Sequence, residues 1–435
     1  MFKGTVFRPA LLAAVVLSGV IVVAAGAGGS FVEPGVQVLH EFDGTSGSGS
    51  FGWAVSGLGD VDGDHVTDAI VGDAFNGPDL ATGSTFVYSG RTGEELYRFD
   101  GASGDWNGFA MADAEDVDGD HVSDFLVSSP GNGAGRVSLY SGATGGLLHE
   151  FSGTIPGETF GWAVSSAGDI DHDHRPDIII GASQYNGGDG PGHVYVYSGR
   201  TFERIRELSG DALNDQFGSG LGWTEDVNRD HVPDQIIGAR NAGPGDRGEV
   251  YVYSGKTGER LFTIEAGPNG NSFGSFFVAG IGDVNRDGSP DIYAADYADT
   301  TNGGDPLTTQ SGRAGVYSGR DGRELLSWVG EDASAGLGPG RSAGDVDGDG
   351  RPDLAIGSYT SNAGATAAGR VQIFSGADGS VLRTITSTVA GENFGFDAVG
   401  IGDTNHDGAL DLLVGAATGD HVYFIAGDRR QHGTH

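Results

Sequence analysis

The sequence predicts an all-β protein: a seven-bladed β-propeller of four-stranded blades whose last blade is completed by the N-terminal strand. Three observations carry that expectation. A nine-residue acidic pattern recurs seven times at near-constant spacing. Each repeat holds four short segments rich in Val, Ile, Phe, Tyr and Thr, separated by Gly-rich turns. The seventh repeat stops one segment short, and a segment of the missing type stands near the N-terminus.

Taken in chain order, Lys3 and Arg8 precede an apolar run over residues 9–25, and Ala25-Gly26-Ala27 reads as a small-residue cleavage site. Residues 1–27 are therefore expected to be an export signal, with an uncleaved membrane anchor as the alternative. No later stretch is apolar for long enough to span a bilayer. Residues 28–35 read as a linker, 36–427 as the propeller and 428–435 as a C-terminal tail. The chain has no Cys, so the disulfides that reinforce many secreted domains are excluded. Its 81 Gly fall between β-rich segments at regular places, so they read as turns and not as disorder. Formal net charge is −36, and loss of Lys3 and Arg8 with the signal makes it −38. Such a chain repels nucleic acid and anionic lipid, which excludes both as partners.

The pattern D-x-[DN]-x-D-x-x-x-D begins at Asp60, Asp116, Asp169, Asp226, Asp283, Asp345 and Asp403, in steps of 56, 53, 57, 57, 62 and 58 residues. Ahead of it stands Phe-Gly or a variant: Phe51-Gly52, Phe160-Gly161, Phe217-Gly218, Phe273-Gly274 and Phe394-Gly395, with Gly108-Phe109-Ala110 in the second copy and Leu337-Gly338 in the sixth. Behind it comes an apolar run closing on small residues, as in Ile178-Ile179-Ile180-Gly181-Ala182. A second run follows, such as Val250-Tyr251-Val252-Tyr253, and then a third, such as Leu96-Tyr97-Arg98-Phe99. Four strands in about 55 residues make one propeller blade. A sandwich or an open solenoid is the alternative for many short strands, but seven equal units favour radial closure, which protects the edges. The seventh repeat ends after His421-Val422-Tyr423-Phe424-Ile425, and residues 36–44 match the fourth strands elsewhere. The N-terminal strand is therefore expected to pin the ring shut.

The acidic loop has the chemistry of a calcium site. Ca²⁺ is a hard cation that takes six to eight oxygens at about 2.3–2.6 Å. In a tightly curled loop, positions 1, 3 and 5 point side-chain oxygens inward, position 7 offers its carbonyl, and the position-9 Asp closes the site bidentately. The expected ligands are Asp60, Asp62, Asp64, the Val66 carbonyl and Asp68 in the first loop, and Asp116, Asp118, Asp120, Val122 and Asp124 in the second. The third and fourth offer Asp169, Asp171, Asp173, Arg175 and Asp177, then Asp226, Asn228, Asp230, Val232 and Asp234. The last three offer Asp283, Asn285, Asp287, Ser289 and Asp291; Asp345, Asp347, Asp349, Arg351 and Asp353; and Asp403, Asn405, Asp407, Ala409 and Asp411. Up to seven Ca²⁺ are expected, bound more weakly where Asn at position 3 removes a charge. Position 6 needs a left-handed residue. Gly288, Gly350 and Gly408 supply it, whereas His65, His121, His174 and His231 stand there in the first four copies. These histidines read as turn residues and not zinc ligands, because they sit in all-oxygen loops with no Cys nearby. Seven loops of four side-chain ligands, less three Asn, hold 25 carboxylates, so seven Ca²⁺ would move the charge from −38 to −24. Calcium is thus expected to act as the missing cross-link.

With the Phe-Gly element, the acidic loop and the Gly-Ala-like close in fixed order, residues 36–427 resemble the FG-GAP repeat family. This is the repeat of the integrin α-subunit propeller and of many bacterial extracellular proteins. The resemblance implies calcium in the loops between first and second strands, on one face, and recognition of protein or glycan partners on the opposite face. In integrins only some blades bind calcium, whereas every loop here keeps its ligands. The proline of the GAP element survives only near Pro130. Trp53, Trp162 and Trp223, which follow Phe-Gly or its equivalent, are expected in the core. Trp106 reads as a cap on blade packing, with stacking on a sugar as the alternative. The function expected is that of a secreted extracellular binding or adhesion module. The alternatives are a propeller-type enzyme, such as a polysaccharide lyase or phosphodiesterase, and a purely structural calcium-stiffened surface protein. The loops account for nearly all the acidic residues, and no nucleophile motif stands outside them, so no catalytic residue is expected.

Overall fold

The structure, a computed structural model, describes residues 30–44, 50–77, 81–184, 190–305 and 309–428. The expected export signal lies outside the described residues. The β-rich runs form seven four-stranded antiparallel sheets, the blades of a propeller. Blade 1 comprises Phe51–Gly57, Ala69–Asp73, Ser84–Tyr88 and Glu95–Asp100, each strand paired with the next. Burial explains the sequence pattern. Second strands such as Asp177–Ala182 are buried along their whole length, so they read as continuous apolar runs. Fourth strands such as Arg204–Ser209 form the outer rim, and there exposed and half-buried residues alternate.

The core is a ring of seven clusters, one between each pair of neighbouring blades. Between blades 1 and 2, Ile70 and Val87 meet Phe125 and Val127. Between blades 7 and 1, Leu413 and Phe424 meet Phe51 and Val71. The two glycine elements of the repeat meet across these interfaces. A Cβ added at Gly238 of blade 4 would lie 1.8 Å from the carbonyl oxygen of Gly274, the Phe-Gly glycine of blade 5. Gly274 itself has φ +78, a conformation that L side chains rarely adopt. Close blade packing thus requires Gly on both sides. In blade 2 the element falls two residues earlier than Phe109 would place it. Asn107 takes the Phe position, since its bridge to Gly83 repeats the bridge of Phe394 to Gly369. A buried amide is tolerated there because Thr85 Oγ1 donates to Asn107 Oδ1 at 2.9 Å and Asn107 Nδ2 donates to Ser129 Oγ at 3.2 Å.

The ring closes as expected. Val38–Asp43 pairs antiparallel with His421–Ile425, with Phe42 opposite Val422 and Asp43 opposite His421. It is the outermost strand of blade 7, whose own strands are Asp397–Gly400, Leu412–Ala416 and His421–Ile425. Phe42 stacks on Tyr88 of blade 1 at 4.1 Å. Upstream, Phe31 packs against Phe394 at 5.4 Å and Tyr423 at 5.9 Å, while Glu33 accepts hydrogen bonds from Thr386 of blade 6.

The tryptophans divide. Trp162 is buried and Trp53 and Trp223 are half-buried, and all three line a cavity on the propeller axis instead of an interblade core. Trp223 lies six residues after Phe217, near the loop end of its strand, and not beside the Phe-Gly element. Trp106 packs against Phe75 at 5.8 Å and Phe109 at 6.2 Å, as a cap on blade packing would. Among the described residues, no helix is long and apolar enough to cross a membrane.

Candidate metal centres

The seven acidic loops join first to second strands, so the antiparallel blades place all of them on one face of the propeller. The chain curls by using its own aspartates as backbone acceptors. In every loop the position-1 carboxylate accepts the position-6 N–H at 2.6–3.1 Å. Position 3 accepts the position-5 N–H at 2.8–3.1 Å. Asn228, Asn285 and Asn405 make this bond with their Oδ1, so they present an oxygen where Asp does elsewhere. Position 5 accepts the position-7 N–H at 2.8–3.0 Å.

These turns need two left-handed residues per loop. Position 6 is one, with φ of 68–75 at the four histidines and 81–86 at the three glycines. Position 4 is the other, filled by Gly63, Gly119, His172, Arg229, Arg286, Gly348 and His406. Its requirement was not anticipated from sequence, although three glycines at that position were a usable signal.

The position-9 aspartates are fully buried. In each, Oδ2 accepts the position-2 N–H at 2.7–3.0 Å. Oδ1 accepts an N–H at 2.7–3.2 Å from a glycine just after the third strand, from Gly90 in blade 1 to Gly427 in blade 7. In Asp68, Asp177 and Asp234 each oxygen therefore keeps lone-pair capacity for a cation, whereas Oδ2 of Asp124, Asp291, Asp353 and Asp411 accepts a second hydrogen bond; all seven tie the loop to the turn after the third strand.

In the four loops with Asp at position 3, the carboxylates of positions 1, 3 and 9 lie within 4.8 Å of one another: Asp60, Asp62 and Asp68; Asp116, Asp118 and Asp124; Asp169, Asp171 and Asp177; Asp345, Asp347 and Asp353. The position-5 carboxylate stands outside these groups. Asp64 instead pairs with Arg91 at 3.0 Å, and Asp173 and Asp230 accept hydrogen bonds from Ser198 and Ser254. A cation also reaches the position-5 carbonyl in four loops: Arg91, Arg200, Lys256 and Arg286 donate to the carbonyl oxygens of Asp64, Asp173, Asp230 and Asp349. Neighbouring loops are linked as well. Arg175 donates to the Asp118 carbonyl at 3.1 Å, Arg351 donates to the Val284 carbonyl at 2.6 Å, and Arg286 donates to the Asp349 carbonyl.

Three carboxylates in so small a space repel one another, and burial adds to the cost of their charge. Burial pushes the position-9 carboxyls up, to about 6 in Asp68, Asp124, Asp234 and Asp291 and to about 7 in Asp177. The backbone hydrogen bonds only partly offset this. Without metal, the folded chain therefore holds protons between about pH 4 and pH 7 that the unfolded chain has released. Stability then falls as pH rises through that window. The metal-free protein in EDTA is expected to melt several degrees higher at pH 5 than at pH 7.5. A flat or reversed profile in a thermal melt would contradict this reading of the buried aspartates.

Residues 160–197 and 342–374, which contain the third and sixth loops with their flanking strands, match the model of the FG-GAP repeat. The chain carries FG-GAP repeats. Among curated proteins, it is similar to integrin alpha-V of Gallus gallus, 30% identical over 209 residues, which is 43% of this chain and 20% of the integrin. It is similar also to integrin alpha-6 of Gallus gallus, 32% identical over 164 residues, covering 35% of this chain and 15% of the integrin. With integrin alpha-PS2 of Drosophila melanogaster it is 29% identical over 219 residues, covering 44% and 15%. The chain thus matches a fifth or less of those integrins' own length. A chain from the crystal structure of BBS1N in complex with ARL6DN, soaked with lead, aligns over 91% of this chain and 98% of its own, with a TM-score of 0.56 and 9% identity. At that identity the likeness concerns the fold alone.

Proposed function

We propose that this FG-GAP propeller is a secreted, calcium-binding module that recognises extracellular protein or glycan partners through the face opposite its acidic loops. The donor set fits Ca²⁺: every group turned into the loops is an oxygen, and most are carboxylates. Side chains at positions 1, 3, 5 and 9 and the position-7 carbonyl would hold the ion. Its positive charge would offset the crowding of the carboxylates and brace each loop against its blade. The three loops with Asn would bind more weakly. Secretion rests on the export signal read in residues 1–27, and the similarity to integrin alpha subunits supports an extracellular role.

The observation that carries the partner-binding reading is the contrast between the two faces. The loop face repeats one geometry seven times. On the other face, the connections between second and third strands differ in every blade. They range from a single short 3-10 turn, Ala417–Gly419, in blade 7 to a segment between Asp296 and Arg313 in blade 5 that carries its own small hairpin, Gly304–Asp305 with Thr309–Gln310. Variable connections on a rigid scaffold are where recognition resides. The protein, probed on arrays of extracellular proteins and glycans, is expected to bind in calcium and to lose binding in EDTA. Silence on both arrays contradicts the proposal, and turnover of a polysaccharide or phosphodiester favours an enzyme instead.

A further inference from the structure

We infer that the cavity on the propeller axis is a binding site for a neutral saccharide unit, an inference that rests on the reading of this protein as a binding module. The cavity has a volume of about 520 Å³. That lies within the range of small-molecule sites, and its make-up is theirs too: a largely apolar wall with a few polar groups converging on it.

The wall is aromatic because residues just after the Phe-Gly element point to the axis: Trp53, Phe109, Trp162 and Phe396 directly after it, and Phe276 one position further on. Phe109, Trp162 and Phe276 pack on one another with centroids 4.6–6.2 Å apart, so much of their ring surface is already covered. Trp53 and Phe396, 5.0 Å apart, remain half-buried and present ring surface to the cavity. Tyr359 stands beside them at 5.3 Å from Phe396. Blade 6 has Pro339 in place of an aromatic, which leaves that side of the axis open to Tyr297 and Tyr359. Both tyrosines follow second strands, so they lie at the end of the axis that faces away from the acidic loops.

The polar groups select the ligand. Arg341 Nη2 lies 3.1 Å from Asp397 Oδ2, and Nη1 donates to the Val55 carbonyl at 3.0 Å. A guanidinium has five N–H donors, so this arginine keeps donors for a ligand while its charge is answered within the site. A cationic ligand would find Asp397 already paired with Arg341 and Asp113 already accepting the Glu115 N–H at 2.7 Å, with Arg341 repelling it. An anionic one would meet the carboxylates of Asp397 and Asp113. A neutral ligand with hydroxyls meets neither penalty. The hydroxyls of Tyr297 and Tyr359 make no hydrogen bond to the described residues, so they too are free to donate or accept. A pyranose matches this combination. Its C–H face is apolar and weakly positive against the negative face of an aromatic ring, and its edge carries alternating donors and acceptors.

Three of the five tryptophans, Trp53, Trp162 and Trp223, line the cavity, so the intrinsic fluorescence of the full chain reports its occupation. The calcium-loaded protein is titrated with glucose, galactose, N-acetylglucosamine and their β-linked disaccharides, and in parallel with choline and glucuronate. The expected result is a saturable change with at least one neutral sugar. Affinity should fall about tenfold in a Y297F/Y359F variant, which keeps both rings and loses only hydroxyls. It should be unchanged in W106F, which lies outside the cavity. The inference is overturned if no neutral sugar gives a saturable response, if the tyrosine variant binds as well as the parent, or if choline or glucuronate binds more tightly. Array binding that persists while every sugar titration is silent sinks the cavity assignment alone. Silence in both sinks the binding-module reading as well.

Discussion

Stripping calcium with EDTA is expected to lower the melting temperature by about 13 °C. The four loops with a full set of carboxylates hold positions 1, 3 and 9 within 4.8 Å of each other, a crowding that only a cation relieves. A site held at a hundred times its Kd adds about 2.7 kcal/mol of stability. Four such sites add about 11 kcal/mol, and at about 2.1 cal/mol/K of unfolding entropy per residue each kcal/mol is worth about 1.2 °C in a propeller of about 400 residues. The effect should reach the whole ring, because each position-9 aspartate ties its loop to the glycine after the third strand. Restoring calcium should restore the melt, whereas magnesium, which demands a tighter octahedral shell, should restore it less. A melting temperature indifferent to EDTA would mean that the loops are stable as self-bonded turns and need no ion.

Deleting residues 30–44 is expected to abolish the cooperative unfolding transition. The deletion removes the outermost strand of blade 7 and exposes the ladder of His421–Ile425. It also removes Phe42 from its stack on Tyr88 and Phe31 from between Phe394 and Tyr423. Loss of the buried Phe42 alone costs about 3–5 kcal/mol, and loss of the half-buried Phe31 adds to it. With the strand's hydrogen bonds added, the loss rivals the total stability of a domain, about 5–15 kcal/mol. Limited proteolysis should then cut first within residues 397–428. A truncated chain that melts like the parent would show that the ring closes without its N-terminal strand.

Much of this molecule was legible because its information is local and repeated. The acidic nine-residue loop recurs once per blade, and its seven copies fix the number of blades. The missing fourth segment of the last repeat pointed to ring closure, and the pairing of Phe42 with Val422 bears that out. What was not legible depends on partners distant in sequence. Asn107 holds the Phe position of blade 2 because Thr85 and Ser129 satisfy its amide from two other strands. The position-9 aspartates looked like metal ligands alone, yet each also accepts the backbone N–H of a glycine some twenty residues on, as Asp68 does from Gly90. The recurrent Ser-Gly after the third strand was the available sign. Trp223 was expected in the core, but only the assembled ring shows that its strand turns it toward the axis.

The measurement that bears most directly on the seven candidate metal centres is a calcium count by native mass spectrometry on the mature chain. Seven ions per chain are expected at saturating calcium, with three lost first as calcium is lowered, matching the loops built on Asn228, Asn285 and Asn405. A chain that takes up no calcium, or a single ion, would contradict the account.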